Sequence, residues 1–228
     1  ANLMSGMTPA HSKWIGMAVN GLEDDQEAME WLDKVSRIVW RNIHASHYDT
    51  TGDEGLLDHV ISGMVAIYVT EGEADSGEPY NFQQWPLHSI YCADSTGKGK
   101  IDTVYRVFSL TAEQAVSEYG TEVSDQIQKS AEKKPDTLFQ FVQAIYPRRK
   151  PGRLELPIAS EHIEIKGKKI VRTSGYDEMP VAVARGLVIP DSVYAVGIAD
   201  DAIADAQTLN EVIKLVLSNA DLAISGMW

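Results

Sequence analysis

Two segments near the start of the chain repeat apolar residues at intervals of three and four, which is the spacing of one face of a helix. The first predicts a helix from Glu23 and the second a helix from Asp53, with a break at residues 50–53 between them. The apolar positions are Ala28, Leu32, Val35, Val39 and Ile43, flanked by Trp31 and Ile38, and then Leu56, Leu57, Val60, Ile61 and Met64. Together they predict an N-terminal helical hairpin.

The middle of the chain changes to short runs rich in β-branched and aromatic residues, which are typical of strands. Strands are predicted at residues 65–69, 82–85, 89–92, 101–108, 138–146, 163–165 and 169–173. The glycines of the turn at 94–99 indicate a hairpin. Thr111 and Gln114 have the spacing of a capping box and predict a short helix that ends at Gly120, and a further helix is predicted over 124–133.

The last segment predicts a long helix over residues 200–223, roughly 30 Å long at about 1.5 Å per residue. One side of it carries Ile203, Ala206, Leu209 or Asn210, Ile213, Leu217 and Ala220. The fold class predicted is therefore α+β, with the helical hairpin, a mixed and largely antiparallel sheet with short helices, and the long C-terminal helix. We divide the chain into an α+β body at 1–190 and a helix region at 191–228.

Composition and charge argue against several classes of function. The 228 residues include 33 acidic and 20 basic side chains, a net charge of −13, which repels nucleic-acid phosphates and anionic lipids. The single cysteine, Cys92, cannot form an intramolecular disulfide and is predicted to be a buried, inert thiol. No apolar run reaches the roughly 18 residues of a membrane span. Because the chain begins with Ala1, we expect it to be part of a longer protein.

Few residues suggest catalysis. His44 and His47 lie three apart beside Asp49, so they could bind a metal or form the centre of an α+β hydrolase. Spacing identifies no third ligand, and histidines in the last turn of a helix are also favoured by the helix dipole. The glycines and lysines at 97–100 lack the rest of a phosphate-binding loop and indicate a hairpin turn. We therefore predict no catalytic residue, cofactor or metal, and keep the hydrolase as the alternative.

Four stretches, in this order, carry a resemblance to a known family. They read LMSGMTP at 3–9 followed by Trp14; FQQWPL at 82–87, leading to IDTVYRVF at 101–108 and LTAEQA at 110–115; AIYPR at 144–148 with SGYDEMP at 174–180 and Arg185; and YAVGI at 194–198 with IADAQTLN at 203–210. This order resembles the portal protein, or head-to-tail connector, of short-tailed bacteriophages. The resemblance covers the wing or body region and the first stem helix.

The resemblance implies a structural virion protein and not an enzyme. It implies a subunit of a twelve-membered homo-oligomeric portal ring at a capsid vertex, through which DNA is packaged and ejected and to which the tail attaches. The implied partners are terminase, capsid proteins, tail or adaptor proteins, and double-stranded DNA that passes without sequence-specific binding. The ring would be assembled in the host bacterial cytoplasm and reside in the virion, with no membrane partner.

Two sets of residues are candidates for these roles. The candidate channel-facing acids are Asp200, Asp201, Asp205 and Glu211, which we expect to limit adhesion of DNA during passage. The candidate subunit-contact or loop residues are Arg185, Tyr194, Leu209 and Asn210. A solvated helix face is the alternative interpretation of the acids, and another structural or adaptor module of a phage is the alternative to a portal subunit.

Overall fold

The computed structural model describes residues 6–21, 25–73, 77–149 and 156–226. Two helices come first, α1 (Gln26–Ala45) and α2 (Tyr48–Ser62). Asp25 caps α1, since its carboxylate accepts hydrogen bonds from the backbone N–H groups of Glu27 and Ala28 at 3.0 and 3.2 Å. The two consecutive helices of the prediction are therefore present.

The predicted break at residues 50–53 is wrong, because α2 begins at Tyr48 and runs through it. Gly52 is buried within the helix, and a Cβ atom added to Gly55 would lie 2.8 Å from the Val65 side chain. These glycines bring α2 close to the sheet instead of ending a helix. The predicted apolar faces were also too wide, since four of their members are exposed: Trp31, Ile38, Leu57 and Ile61.

The strands form two antiparallel sheets and a short ribbon. A three-stranded sheet has the order β2-β1-β8, and a five-stranded sheet has the order β3-β4-β5-β6-β7. The strands are β1 (Met64–Glu71), β2 (Tyr80–Gln84), β3 (Ile90–Ala93), β4 (Thr103–Thr111), β5 (Leu138–Pro147), β6 (Ile158–Glu164), β7 (Lys169–Tyr176) and β8 (Val181–Arg185), and the ribbon is β9 (Leu187–Val188) with β10 (Ala195–Val196). The α+β class is confirmed, whereas β8, β9 and β10 were not predicted.

Two helices join β4 to β5 and cover one end of the larger sheet. Helix α3 (Ala112–Tyr119) begins with the predicted capping box: Thr111 Oγ1 accepts from Gln114 N at 3.2 Å, and Gln114 Oε1 accepts from Thr111 N at 3.0 Å. Helix α4 (Asp125–Lys133) follows. Under them lies one hydrophobic core, formed by Ala112, Ala115, Tyr119, Val123, Ile127, Phe139, Phe141 and Val171.

A second core lies where the two sheets meet. Its buried members are Met64, Ala66, Trp85, Ile90, Cys92, Val104, Ile145 and Val181. Cys92 is buried as predicted, and this burial raises the pKa of its thiol to about 11. A protonated thiol is a poor nucleophile, so the side chain acts in packing.

The chain ends in α5 (Ile198–Ser225), a helix of 28 residues and about 42 Å. It confirms the long C-terminal helix predicted over 200–223. Its contacts with the rest of the fold are chiefly with α2, near the amino end of α5.

Candidate functional site

Helix α5 is the largest exposed feature of the fold. Every side chain from residue 201 to residue 224 is exposed to solvent. Large apolar side chains are included, with Leu209 59% exposed and Leu217 62% exposed. An ordinary surface helix would turn such a stripe toward its own core. Because this helix does not, α5 presents a surface for association with another molecule.

The apolar side chains of α5 are concentrated on one side. At about 100° per residue, six of the ten large apolar side chains exposed on α5 fall within roughly a third of the helix circumference. The members of this stripe are Ile198, Leu209, Ile213, Val216, Leu217 and Ile224. Ile203 and Val212 lie just outside this stripe, one on each side of it, and Leu215 and Leu222 lie on the opposite side of the helix. Leu209 therefore belongs to the apolar stripe, and Asn210 lies at its edge.

The four candidate channel-facing acids do not share one face. Asp201 and Asp205 lie four residues apart, and so lie on one side of α5. Asp200 and Glu211 lie about three turns apart on another side, rotated by roughly 100° from the first pair. Asp200 also has a structural role, since one of its carboxylate oxygens accepts the backbone N–H of Gly197 at 2.9 Å.

The joint between α5 and the body depends on two glycines. A Cβ atom added to Gly197 would lie 2.1 Å from the carbonyl oxygen of Ile61 and 2.4 Å from the nitrogen of Gly63. Gly63 has φ +75, and a Cβ atom there would lie 2.1 Å from the carbonyl oxygen of Val196. Backbone therefore packs directly on backbone where α2 ends and α5 begins, which fixes the direction in which α5 leaves the body.

Arg185 and Tyr194 make their contacts within the chain. The Arg185 guanidinium donates to the carbonyl oxygens of Val193, at 3.2 Å, and Gly99, at 2.5 Å. The hydroxyl oxygen of Tyr194 accepts the backbone N–H of Cys92 at 3.2 Å. Both residues fasten the loop before α5 to the hairpin of β3 and β4.

His44 and His47 do not form a common site. His44 is in the last turn of α1, where its Nε2 accepts from Trp14 Nε1 at 3.0 Å and its Nδ1 lies 2.8 Å from Asp49 Oδ1. Since Nε2 is an acceptor, the proton is on Nδ1 and is donated to Asp49. His47 lies between the helices in a left-handed conformation, with Nδ1 3.0 Å from Glu78 Oε1. Both ring nitrogens of His44 are thus used in structural bonds.

Other candidate groups are absent from the described part of the chain. Within residues 6–21, 25–73, 77–149 and 156–226, no group of three or more His, Cys, Asp or Glu residues is arranged to hold a metal ion. Among the helices formed by these residues, none is both long and apolar enough to cross a bilayer.

Sequence reasoning missed a polar cleft over the five-stranded sheet. Its lining includes Arg106 from β4, Gln143 from β5, His162 from β6 and Arg172 from β7. Each residue is unremarkable in its own segment, and only the pairing of four strands brings them together. The buried Gln143 was the one available signal, as an uncharged polar residue within an apolar strand.

Comparison with known proteins identifies a family that matches the full chain and relatives that match most of it. The family model described as "Bacteriophage head to tail connecting protein" matches residues 1–228. The "Portal protein" of Salmonella phage epsilon15 is 28% identical over 210 residues, covering 86% of this chain and 36% of that protein. The "Probable portal protein" of Bordetella phage BPP-1 is 24% identical over 229 residues, covering 92% and 39%. The chain thus spans less than half the length of either relative.

Proposed function

This chain belongs to the bacteriophage head to tail connecting protein family, and on that premise we propose that it is the wing and first stem helix of a portal subunit. Residues 1–190 form the body in this proposal, and residues 191–228 form the stem region. The role is structural: shape and contact between neighbouring subunits perform it, without a catalytic step. The projecting helix α5 is the observation that carries the proposal.

A ring explains why α5 exposes its apolar stripe. In a closed ring each subunit contacts its neighbour through two different surfaces, and each contact is repeated around the circle. Packing α5 against the neighbouring copy of α5 would remove the apolar side chains from water, at about 25 cal/mol per Å² of apolar surface. We propose a ring of twelve subunits at one capsid vertex, in contact with terminase during DNA packaging and with capsid and tail or adaptor proteins in the virion. Assembly of the ring in the host bacterial cytoplasm completes the proposal.

Ring formation can be tested on one helix with matched variants. Leu209→Gln with Leu217→Gln changes the apolar stripe, and Leu215→Gln with Leu222→Gln changes the opposite side at similar exposure. Glutamine keeps helix propensity close to that of leucine. Native mass spectrometry and sedimentation should show a ring for the parent protein and its loss in the first double variant, while near-UV circular dichroism shows that the packing of the body is retained in both double variants. A stripe variant that assembles as well as the parent would contradict the proposal.

The acidic residues of α5 are proposed to limit adhesion of DNA to the channel. Each phosphate contact avoided also avoids a salt-dependent retarding interaction. Asp201→Lys with Asp205→Lys should therefore slow packaging, with the slowing reduced by added salt. Glu211→Lys with Asp221→Lys reverses the same number of charges at two positions about 80° apart around the helix, both away from the side of Asp201 and Asp205. If neither double variant changes the packaging rate, the acids act only in solvation.

The hydrolase alternative has no support from the positions of its candidate residues. His44 is held by Trp14 and Asp49, and His47 is directed to Glu78. These contacts fit a role in joining α1 to α2, to the loop that precedes α1 and to the connection between β1 and β2.

A further inference from the structure

The cleft over the five-stranded sheet has the properties of an anion-binding site. It has a volume of about 540 Å³, with a floor formed by the sheet and walls formed by α3 and by side chains of β1 and β2. The feature that distinguishes it is Arg106, which projects into the cleft from β4. The proposed portal role does not require this cleft, so binding of a carboxylate there can be tested independently of it.

Arg106 is a half-buried cation that forms no ion pair with any acidic residue in the described part of the chain. Its guanidinium carbon lies 4.9 Å from the centre of the Trp85 ring and 5.4 Å from that of Phe108. Its one hydrogen bond within the described residues goes from Nη1 to Gln83 Oε1, at 3.1 Å. Burial lowers the pKa of the side chain relative to its ordinary value, but arginine remains protonated in proteins. A desolvated charge with unused N–H donors therefore faces the cleft.

The other ionisable groups of the cleft leave this charge uncompensated. Arg172 forms an ion pair with Glu118 at 2.7 Å, and these two charges cancel. Burial, assisted by the charge of Arg172, lowers the pKa of His162 to about 4, so its imidazole is neutral near pH 7. The ionisable residues lining the cleft thus sum to one positive charge, on a chain whose net charge is −13.

Hydroxyl groups provide further donors beside Arg106. The Tyr68 and Tyr176 hydroxyls are 2.5 Å apart, and one proton between them is used in their mutual bond. Burial raises the pKa of Tyr68, and burial raises that of Tyr119 to about 12, so these phenols stay protonated. The Tyr119 hydroxyl lies 2.8 Å from His162 Nδ1. A planar guanidinium surrounded by protonated hydroxyls suits a flat oxyanion that accepts two hydrogen bonds from one arginine.

We propose that this cleft binds a carboxylate group through Arg106. A carboxylate carries a single negative charge, which matches the single uncompensated positive charge of the lining. The group can belong to a free organic acid or to an acidic side chain of a neighbouring subunit, and the chemistry of recognition is the same in both cases.

Acetate is the probe for the first arm of the test. It is titrated into the protein at constant ionic strength, and binding is followed by NMR at the ring protons of His162 and Tyr119. We expect saturable shifts, and Arg106→Gln should weaken binding by about 10- to 100-fold, because hydrogen bonds to a charged group are lost. Arg106→Lys keeps the charge and should give an intermediate loss. Arg37→Gln is the control, since Arg37 is exposed on α1 and pairs with Asp33.

Three results would overturn the proposal. One is the absence of saturable shifts at His162 and Tyr119 in the parent protein, a result that does not depend on any variant folding. Another is equal weakening by Arg106→Gln and Arg37→Gln. The third is tighter binding of inorganic phosphate than of acetate, because the site would then not be selective for a carboxylate.

The second arm identifies the source of the carboxylate. Acetate binding is measured at low and high protein concentration, with the oligomeric state followed by analytical ultracentrifugation. If acetate binding is lost on assembly and Arg106→Gln weakens assembly, a neighbouring subunit supplies the carboxylate. If acetate binding persists in the assembled protein, the ligand is a free acid. A failed ring assay with retained acetate binding would reject the proposed function and leave this site in place.

Discussion

The joint where α5 meets the end of α2 can be tested by adding a single methyl group, with Gly197→Ala. Its backbone has φ −108 and ψ 177, which alanine adopts without strain. The added Cβ atom would lie 2.1 Å from the carbonyl oxygen of Ile61 and 2.4 Å from both the carbonyl carbon of Ser62 and the nitrogen of Gly63. Any destabilisation by Gly197→Ala therefore comes only from steric overlap of the new methyl group with its neighbours.

The magnitude follows from what the methyl group contacts. All three atoms belong to the backbone at the end of α2, so no rotamer change can relieve the overlap. Ordinary contacts begin at 3.4 Å, so α5 must move away from α2 by more than about 1 Å. Overpacking costs about 1–3 kcal/mol, and an overlap with three backbone atoms belongs to the upper part of that range. We expect the free energy that holds the joint closed to fall by about 2–3 kcal/mol, so that the joint opens more often.

Native-state hydrogen exchange measures this opening at a nearby amide. The N–H of Gly186 donates to the carbonyl oxygen of Gly63 at 2.7 Å, and Gly63 is one of the residues that the added Cβ atom would meet, so we expect this amide to exchange when the joint opens. Its protection should fall by about 30- to 150-fold in Gly197→Ala, which is the factor that corresponds to 2–3 kcal/mol. Gly16→Ala is the control, because a Cβ atom at Gly16 meets nothing within 4 Å. Equal protection of the Gly186 amide in the two variants would refute the argument.

Two further predictions concern buried polar groups of the body. Glu164→Ala should lower the free energy of unfolding by about 2–4 kcal/mol in chemical denaturation, because the fully buried carboxylate accepts hydrogen bonds from Ser124 N and Ser124 Oγ at 3.0 and 2.7 Å. The control is Glu113→Ala, at an exposed position. Equal losses of stability in the two variants would show that the buried hydrogen bonds do not cause the effect. Burial holds the pKa of His162 at about 4, below the ordinary 6.5. As the pH falls, the unfolded chain therefore binds the proton before the folded chain does, and the free energy of unfolding should decrease between about pH 6.5 and pH 4. His162→Gln should remove about 1–2 kcal/mol of that decrease, a figure reduced because the side chain is partly exposed. If the free energy of unfolding falls equally steeply with pH in the variant and the parent, the prediction is contradicted.

Local features of the fold could be predicted from sequence, since their causes lie within a few residues. The capping box of Thr111 and Gln114 depends on two residues three apart, and α5 on apolar spacing sustained through the whole helix. In contrast, Gly52 was interpreted as a helix break because its packing partner, the sheet, is distant in sequence. Strands β9 and β10 have two residues each, too few to show a period.

Some features of the candidate site could likewise be predicted from sequence, and others could not. The long C-terminal helix was predictable, and helix geometry converts the sequence spacing of its acids into positions around the axis, whereas their role toward DNA stays a prediction. The buried environment of Glu164 was not, because β6 has an irregular register between His162 and Ile163 that interrupts its alternation. Arg106 appears in sequence as one basic residue within a strand, and its role depends on residues of β1, β2, β5, β6 and β7 around it.

The contrast between body and helix implies that order in α5 is coupled to association. The body has two buried cores, whereas α5 leaves its apolar stripe exposed to water along its length. Most of the stability of helices in proteins comes from packing of an apolar face, not from propensity. Beyond the joint, α5 lacks that packing within the described chain, so a partner that covers the stripe stabilises both the contact and the helix. Since such stabilisation grows with the concentration of the partner, helix content should rise with protein concentration as subunits associate.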